Sequence, residues 1–373
     1  MKWMVPKNKL SANQIEIADS VVLGATERHW VSGYAGSGKT VVITHSINEL
    51  ATRFPDHSIG FLTYTHALKD MVQSGLSPKV AKRVSIETLD SFYHHPKKFD
   101  HLFVDEIQDA DQRHLPKILA ASKHLVVAGD PDQSIYRDRL DAVGLRKALG
   151  GHNKYILNEV YRFSKNTLEI AKNVYPEAEL SSGARLRESN SITATLTEYR
   201  SESLEITGVW ESARSASKPE LPSAILFPQH KLIHHFARIV ADREGKGNPP
   251  IPTKTTGATG QSFDYTEFNQ FFETIRLPLR FLGSSYGSFE ESDNKSIVYC
   301  LTYHSAKGLD FQNTFLPFLN NSTRIKENYE PEDLGQRKFL VAVTRSKYQQ
   351  HFSYTGRMHP LLSGVPRQLF KVK

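Results

Sequence analysis

Short apolar runs and stretches of helical periodicity alternate along this chain. After position 40, apolar residues recur every three or four positions until Pro55, which predicts one helix. Runs rich in β-branched and aromatic residues predict strands at 60–64, 101–104 and 125–128, and again at 224–227, 297–303 and 351–354. Two more helices are predicted before Gly245 and before Pro278, separated by a Gly-, Pro- and Thr-rich loop over 245–260. This alternation is typical of an α/β fold, in which parallel sheets are flanked by helices.

A glycine-rich segment between an apolar run at Trp30-Val31 and the first long helix carries the clearest chemistry. It reads G-x-x-x-x-G-K-T over 33–40, the pattern of a P-loop NTPase. Backbone N–H groups there can cradle phosphates, Lys39 can reach the β- and γ-phosphates, and the Thr40 hydroxyl suits magnesium. We therefore predict a nucleoside triphosphate site formed by Gly33, Ala35, Gly36, Ser37, Gly38, Lys39 and Thr40.

Polar clusters follow several of the predicted strands, where ligand chemistry collects in open α/β sheets. Asp105 can hold Mg²⁺ opposite Thr40, and Glu106 beside it can orient or deprotonate an attacking water. After the next strand, the Gln133 side chain can detect a γ-phosphate without adding charge. In the second half, the candidates are the Tyr161-Arg162 pair, the segment 304–310 and Arg345, which can act as an arginine finger.

Composition and charge narrow the setting of this chemistry. The chain has 373 residues, 39% hydrophobic and 23% charged, and neither an apolar run of membrane-spanning length nor a secretory signal pattern is recognised. The single cysteine, Cys300, cannot form an intrachain disulfide, so we expect a cytoplasmic location. The sixteen histidines are scattered without zinc-finger spacing. A net charge of +7 and a pI of about 9.2 permit a polyanionic partner without requiring one.

Taken in order from Gln14 to Arg345, these motifs resemble those of superfamily 1 helicases of the UvrD/Rep (PcrA-like) type. The resemblance implies two RecA-like lobes, over 1–152 and 153–373, with ATP hydrolysed in the cleft between them. It implies an ATP-dependent DNA helicase or translocase that moves on single-stranded DNA, in the 3′→5′ direction, with ATP and Mg²⁺ as cofactors. RNA stays open as an alternative strand.

The resemblance also implies a role for individual side chains. Gln14 would read the adenine edge, Tyr161 would stack on the base, and Asp310 stands where the family has a glutamate near the ribose, with Gly308 beside it. The implied catalytic residues are Lys39, Glu106, Gln133, Arg162 and Arg345. The implied nucleic-acid contacts are Tyr64, Thr65, Thr88, Phe92, His304 and Lys307, with burial in the core as the competing interpretation for Tyr64 and Phe92.

Several positions depart from the family pattern. Val41 stands where the family often has an arginine facing the adenine, Asp138 replaces an aromatic that stacks on DNA, and Asp90 replaces a histidine. Only residues 93–104 separate Phe92 from Asp105, which leaves no room for the inserted domain that relatives carry there. We therefore expect an intact motor without robust unwinding on its own. The alternatives are an ATPase subunit that signals nucleic-acid state to a partner nuclease or other effector, as in phage defence, and a degenerate scaffold, which the complete phosphate-handling set disfavours.

Overall fold

The computed structural model describes residues 3–23, 27–130, 133–135, 142–162, 164–178, 185–186, 193–257, 260–283, 286–326 and 330–373. The chain divides into two compact units. The first unit comprises Lys2–Tyr161 and Gly183–Arg187, and the second comprises Arg162–Ser182 and Glu188–Lys373 together with Met1. The predicted division after residue 152 differs from this one, because residues 153–157 form a strand that pairs with the strand before the P-loop.

Among the described residues of the first unit, six parallel strands form one sheet. They are β1 (Arg28–Gly33), β2 (Ile59–Thr63), β3 (Val84–Thr88), β4 (Phe99–Val104), β5 (Ser122–Gly129) and β6 (Asn153–Leu157), in the spatial order β3-β2-β4-β5-β1-β6. The helices that precede or connect these strands are α1 (Ala12–Leu23), α2 (Lys39–Arg53), α3 (His66–Gly75), α4 (Pro78–Ala81), α5 (Leu89–His94), α6 (Leu115–Ala120) and α7 (Ala142–Leu149).

Alternate side chains of this sheet enter two separate apolar layers, as the period of a strand requires. Val31 of β1 and Val126 of β5 pack with the inner faces of α1 to α4. Their neighbours Trp30 and Val127 pack on the opposite face with residues from α5, α6 and α7. Both faces are therefore covered, and the carboxyl ends of β1, β4 and β5 share one edge of the sheet.

Most of the second unit is built around a second parallel sheet. Its strands are β9 (Thr193–Tyr199), β10 (Ser223–Phe227), β13 (Leu279–Phe281), β14 (Val298–Thr302), β15 (Phe311–Leu316), β16 (Ser346–Thr355) and β17 (Lys371–Val372), in the order β13-β14-β10-β15-β16-β9-β17. The short strands β7 (Glu159–Val160) and β8 (Arg185–Leu186) pair with each other in the first unit. The helices are α8 (Lys165–Val174), α9 (Glu202–Ala216), α10 (His230–Arg243), α11 (Thr266–Thr274), α12 (Glu291–Asn294), α13 (Glu332–Val343) and α14 (Pro360–Ser363).

The two sheets confirm the predicted α/β class with parallel sheets flanked by helices. The prediction of a loop over 245–260 was wrong in part, because β11 (Thr253–Gly257) pairs antiparallel with β12 (Gly260–Asp264). Strand β11 consists of Thr, Lys and Gly and carries no apolar alternation, so the pattern that marks a half-buried strand is absent from this segment. No helix in the described part of the chain combines the length and apolar character that a membrane crossing needs.

Candidate functional site

The P-loop connects β1 to α2 with two residues in the left-handed region of backbone space. Gly36 has a φ of 74° and Gly38, the residue before α2, has a φ of 90°. Glycine adopts these angles without the steric cost that a Cβ imposes. The Lys39 ammonium is buried over the loop and donates to the carbonyl oxygens of Gly33 at 2.7 Å and Tyr34 at 3.2 Å. The helix N-terminus and this ammonium together favour an anion at the loop.

Asp105 and Glu106 lie at the carboxyl end of β4, close to the start of α2. The Thr40 hydroxyl donates to Asp105 Oδ2 at 2.6 Å, and the Glu106 backbone N–H donates to Asp105 Oδ1 at 3.0 Å. Burial, and then the negative charge of Glu106, raise the pKa of Asp105 to about 6, although the Thr40 hydrogen bond opposes this shift. Two adjacent buried carboxyl groups therefore repel each other at a point where a cation would be stabilised.

The residues at this point fit a magnesium ion. Magnesium in nucleotide sites takes one or two carboxylates together with substrate phosphates and water, so a hydroxyl and a carboxylate are a sufficient protein contribution. Thr40 and Asp105 supply these two groups within hydrogen-bonding distance of each other. Within the described residues, no cluster of three or more His, Cys, Asp or Glu side chains could hold a metal ion.

Gln14 contacts the P-loop through its side-chain amide, and Tyr161 contacts it through its backbone N–H. The Ser11 N–H donates to Gln14 Oε1 at 3.0 Å, and Gln14 Nε2 donates to the Ser37 carbonyl at 3.1 Å. The Tyr161 N–H donates to the Gly36 carbonyl at 3.0 Å. Gln14 thus closes a capping box with Ser11 and supports the loop from the side. The predicted adenine contacts of both residues stay predictions.

Gln133 lies beside the same edge of the sheet and contacts Asp130, which directly follows β5. Gln133 Nε2 donates to Asp130 Oδ2 at 2.6 Å, and the Gln133 N–H donates to the Asp130 carbonyl at 3.0 Å. The sequence motifs give no role to Asp130 or Gln108. Both residues follow strands whose ends carry predicted nucleotide contacts. Their position after β4 and β5 was the available signal.

The second unit holds its own group of charged residues. Arg162 Nη2 lies 2.7 Å from Asp310 Oδ1, and Lys347 Nζ lies 3.5 Å from Asp310 Oδ2. Burial raises the pKa of Asp310, but the charges of Arg162, Lys347 and Arg345 outweigh it and leave that pKa below its usual range. Asp310 therefore positions the Arg162 guanidinium. Gly308, two residues earlier, has a φ of 78°.

Arg345 is almost fully buried within the second unit. Its Nε donates to the Val341 carbonyl at 2.8 Å, and its Nη2 donates to Thr344 Oγ1 at 2.9 Å. These contacts fix the guanidinium at the end of α13, with 1% of the residue exposed. Its role as an arginine finger stays a prediction.

Three of the six predicted nucleic-acid contacts have a structural use. The Thr65 hydroxyl accepts the Leu68 N–H and begins α3, and the Thr88 hydroxyl accepts the Ser91 N–H and begins α5. Phe92 is 0% exposed, because its turn of α5 faces the sheet, so the structure contradicts its prediction as a base-stacking residue.

The other predicted contacts are covered to different extents. Tyr64 is half-buried against the same apolar layer as Phe92. In the second unit, Lys307 is 2% exposed, and its predicted contact with a strand stays a prediction. His304 is half-buried, and burial followed by the charge of Lys338 lowers its pKa to about 3. The departure at Asp138 lies outside the described residues.

Comparison with known proteins gives a consistent set of relatives. A family described as an AAA domain matches residues 23–139. A putative ATP-dependent DNA helicase of Acanthamoeba polyphaga mimivirus is 24% identical over 264 residues, which cover 67% of this chain and 34% of the relative. A probable DNA helicase II homolog of Mycoplasma genitalium is 25% identical over 177 residues, which cover 42% of this chain and 25% of the relative. The chain thus spans about a third or less of these relatives.

Two solved structures match this chain at lower sequence identity. The PRRSV helicase matches with a TM-score of 0.45 and 13% identity, over 92% of this chain and 54% of its own. The arterivirus nonstructural protein 10 helicase matches with a TM-score of 0.42 and 14% identity, over 90% of this chain and 61% of its own.

Proposed function

We propose that this chain is the ATP-hydrolysing motor of a superfamily 1 DNA helicase or translocase, of the UvrD/Rep type. The observation that carries the proposal is the hydrogen bond between Thr40 and Asp105, with Glu106 adjoining it. It joins the P-loop to a strand-end carboxylate pair, the arrangement that nucleotide hydrolysis needs. The relatives named as DNA helicases support DNA as the strand.

The nucleotide-site residues of the first unit each have a role in this reaction. The P-loop N–H groups and Lys39 bind the phosphates, and Thr40 with Asp105 would hold magnesium. Bound magnesium would neutralise charge that develops between the β- and γ-phosphates. Glu106 accepts the proton of the attacking water or orients that water, and Gln133 contacts the γ-phosphate. The P-loop comes after β1, Glu106 after β4 and Gln133 after β5, so these groups come from the carboxyl ends of three strands of one sheet.

In the proposed cycle, the second unit supplies positive charge. Arg162 and Arg345 stabilise the transferring γ-phosphoryl group, an effect of about 10³- to 10⁵-fold in rate where an arginine finger acts. ATP favours a closed arrangement of the two units and hydrolysis releases it, and this cycle moves the protein along single-stranded DNA. The 3′→5′ direction of this movement rests on the resemblance to UvrD/Rep helicases alone. The buried position of Phe92, which removes one predicted stacking contact, favours weak binding of DNA. It leaves a second candidate function, an ATPase subunit that acts through a partner protein.

The proposal is tested by steady-state ATP hydrolysis with and without single-stranded DNA, together with nucleotide binding. Lys39→Ala is expected to weaken ATP binding and abolish turnover. Glu106→Gln is expected to retain binding while turnover falls by about 100-fold or more. Lys97→Ala is a matched control, because Lys97 is exposed and pairs only with Glu87 among the contacts described. Wild-type turnover in both site variants would refute the proposal, and turnover that needs a partner protein would favour the second candidate.

A further inference from the structure

We propose that Gln108 is a positioning residue for the reaction: it holds the Glu106 carboxylate and connects it to the segment that carries Gln133. The inference rests on the proposed function, since it gives Glu106 and Gln133 their parts in ATP hydrolysis. It adds a residue that acts on neither nucleotide nor water directly. All of the groups involved belong to the first unit.

Both polar atoms of the Gln108 side-chain amide form hydrogen bonds. Its Nε2 donates to Glu106 Oε2, and its Oε1 accepts the Asp130 N–H at 3.1 Å. The residue is 0% exposed, so water does not compete for either contact. Only a neutral amide of this length offers a donor to the carboxylate and an acceptor to the backbone at once. A glutamate would place two carboxylates together, and a leucine would bond neither.

The backbone at Glu106 shows why its side chain needs such support. Glu106 has a φ of 55°, a left-handed conformation that is costly for a residue with a Cβ. It precedes a short 3₁₀ turn at Ile107–Asp109, which returns the Gln108 side chain toward the carboxylate. The turn therefore sets the direction of Glu106, and the Gln108 hydrogen bond holds one of its oxygens before substrate binds.

The contacts beyond Gln108 lead to the predicted γ-phosphate residue. The Asp130 N–H bonds to Gln108, while the Asp130 carboxylate accepts Gln133 Nε2 at 2.6 Å. A Gln133 side chain that turns toward a phosphate must release or shift Asp130, and this movement reaches Glu106 through a single side chain. Gln108 therefore connects the residue that contacts the γ-phosphate in the proposed function with the carboxylate that acts on water.

A separate observation comes from Gly129, the last residue of β5. A Cβ built at this position would lie 2.3 Å from Gln108 Oε1 and 2.9 Å from Ile107 Cγ2. No side chain fits there while Gln108 keeps its place. The absence of a Cβ at residue 129 is therefore a requirement of the Gln108 contact, although Gly129 contacts no predicted substrate group itself.

The test compares Gln108→Leu, Gln108→Asn and Gly129→Ala with the wild type in ATP hydrolysis, nucleotide binding and thermal unfolding. Gln112→Leu is the control, because Gln112 is exposed on the same segment. The kcat is expected to fall about 10- to 100-fold in all three site variants, since displacement of a reacting group by about 1 Å has this scale of effect. The KM and the nucleotide Kd are expected to change less than about threefold, because the phosphate-binding loop is untouched.

The outcomes separate this inference from the proposed function. A wild-type protein without ATPase activity would refute the proposed function itself. An active wild type with unchanged kcat in Gln108→Leu and Gln108→Asn would overturn the inference, and so would an equal loss of nucleotide binding and kcat. Gln108→Asn keeps a buried amide that is too short for both bonds, so it decides the question if the leucine variant fails to fold. A Gln108→Leu/Gln133→Ala double variant no slower than the slower single variant would support the connection.

Discussion

The contact between Gly38 and Gln14 gives a quantitative prediction about the P-loop. In Gly38→Ala, the new Cβ would lie 2.5 Å from Gln14 Nε2, at a backbone φ of 90°. Both features are unfavourable, and for different reasons. The φ value strains any L-residue, whereas the short contact pushes away a side chain that donates to the Ser37 carbonyl at 3.1 Å.

The two effects have separate magnitudes. Left-handed backbone strain costs about 1 to 2 kcal/mol for a residue with a Cβ. Loss of the Gln14 hydrogen bond costs about 1 kcal/mol net. If the loop must keep its shape to bind phosphate, nucleotide affinity falls by roughly 2 to 3 kcal/mol, or about 30- to 150-fold. Gln14→Ala leaves Gly38 unstrained and removes one hydrogen bond to the loop, so the expected loss of affinity is about fivefold; it also removes the hydrogen bond from the Ser11 N–H, which lies outside the loop.

A double-mutant cycle measures how the two positions interact. Nucleotide Kd is measured by fluorescence titration for the wild type, Gly38→Ala, Gln14→Ala and the double variant, with unfolding temperatures as a control for folding. Because the double variant has no side chain left to displace, we expect a coupling energy of about 1 kcal/mol in its favour. Strict additivity would refute the reasoning, since it would mean that Gln14 does not cover Gly38.

Three further predictions concern stability and the second unit. Burial, followed by the charges of His124 and His57, lowers the pKa of His101 to about 4. Stability to urea should therefore fall as the pH drops from about 6.5 to about 4, and His101→Phe should reduce this fall by about 1 to 3 kcal/mol. Glu205 accepts the Phe318 N–H at 2.8 Å and the Ser353 hydroxyl at 2.7 Å, so Glu205→Ala should cost about 2 to 5 kcal/mol in urea unfolding. Burial raises the pKa of Glu205. The stability that the Glu205 side chain provides should therefore fall as the pH rises through this raised pKa, and Glu205→Gln should remove this dependence. Asp310→Asn should lower the kcat of ATP hydrolysis about tenfold by releasing Arg162, and an unchanged rate would exclude a positioning role for Asp310.

Local chemistry explains which parts of this structure the sequence predicts. The P-loop pattern needs only residues 33–40, and the strand-end acids follow one apolar run, so neither depends on distant contacts. Pairing of β6 (Asn153–Leu157) with β1 could not be predicted in the same way, because no sequence pattern says which of two parallel sheets a strand joins. The contact between Gln108 and Asp130 was missed for the same reason, since it joins the ends of β4 and β5.

The threonines at the ends of β2 and β3 show why the chemistry of a side chain does not by itself predict which partner it contacts. A hydroxyl that can contact a phosphate can equally accept an unpaired N–H in the first turn of a helix, and Thr65 and Thr88 do the latter. With these hydroxyls and Phe92 used in the fold, the net charge of +7 is one source of the DNA affinity that the proposed function requires. Attraction of that kind is independent of base sequence and falls steeply with salt. A DNA affinity that fell sharply with added salt and ignored base composition would therefore agree with this structure, whereas a salt-insensitive affinity would indicate stacking contacts.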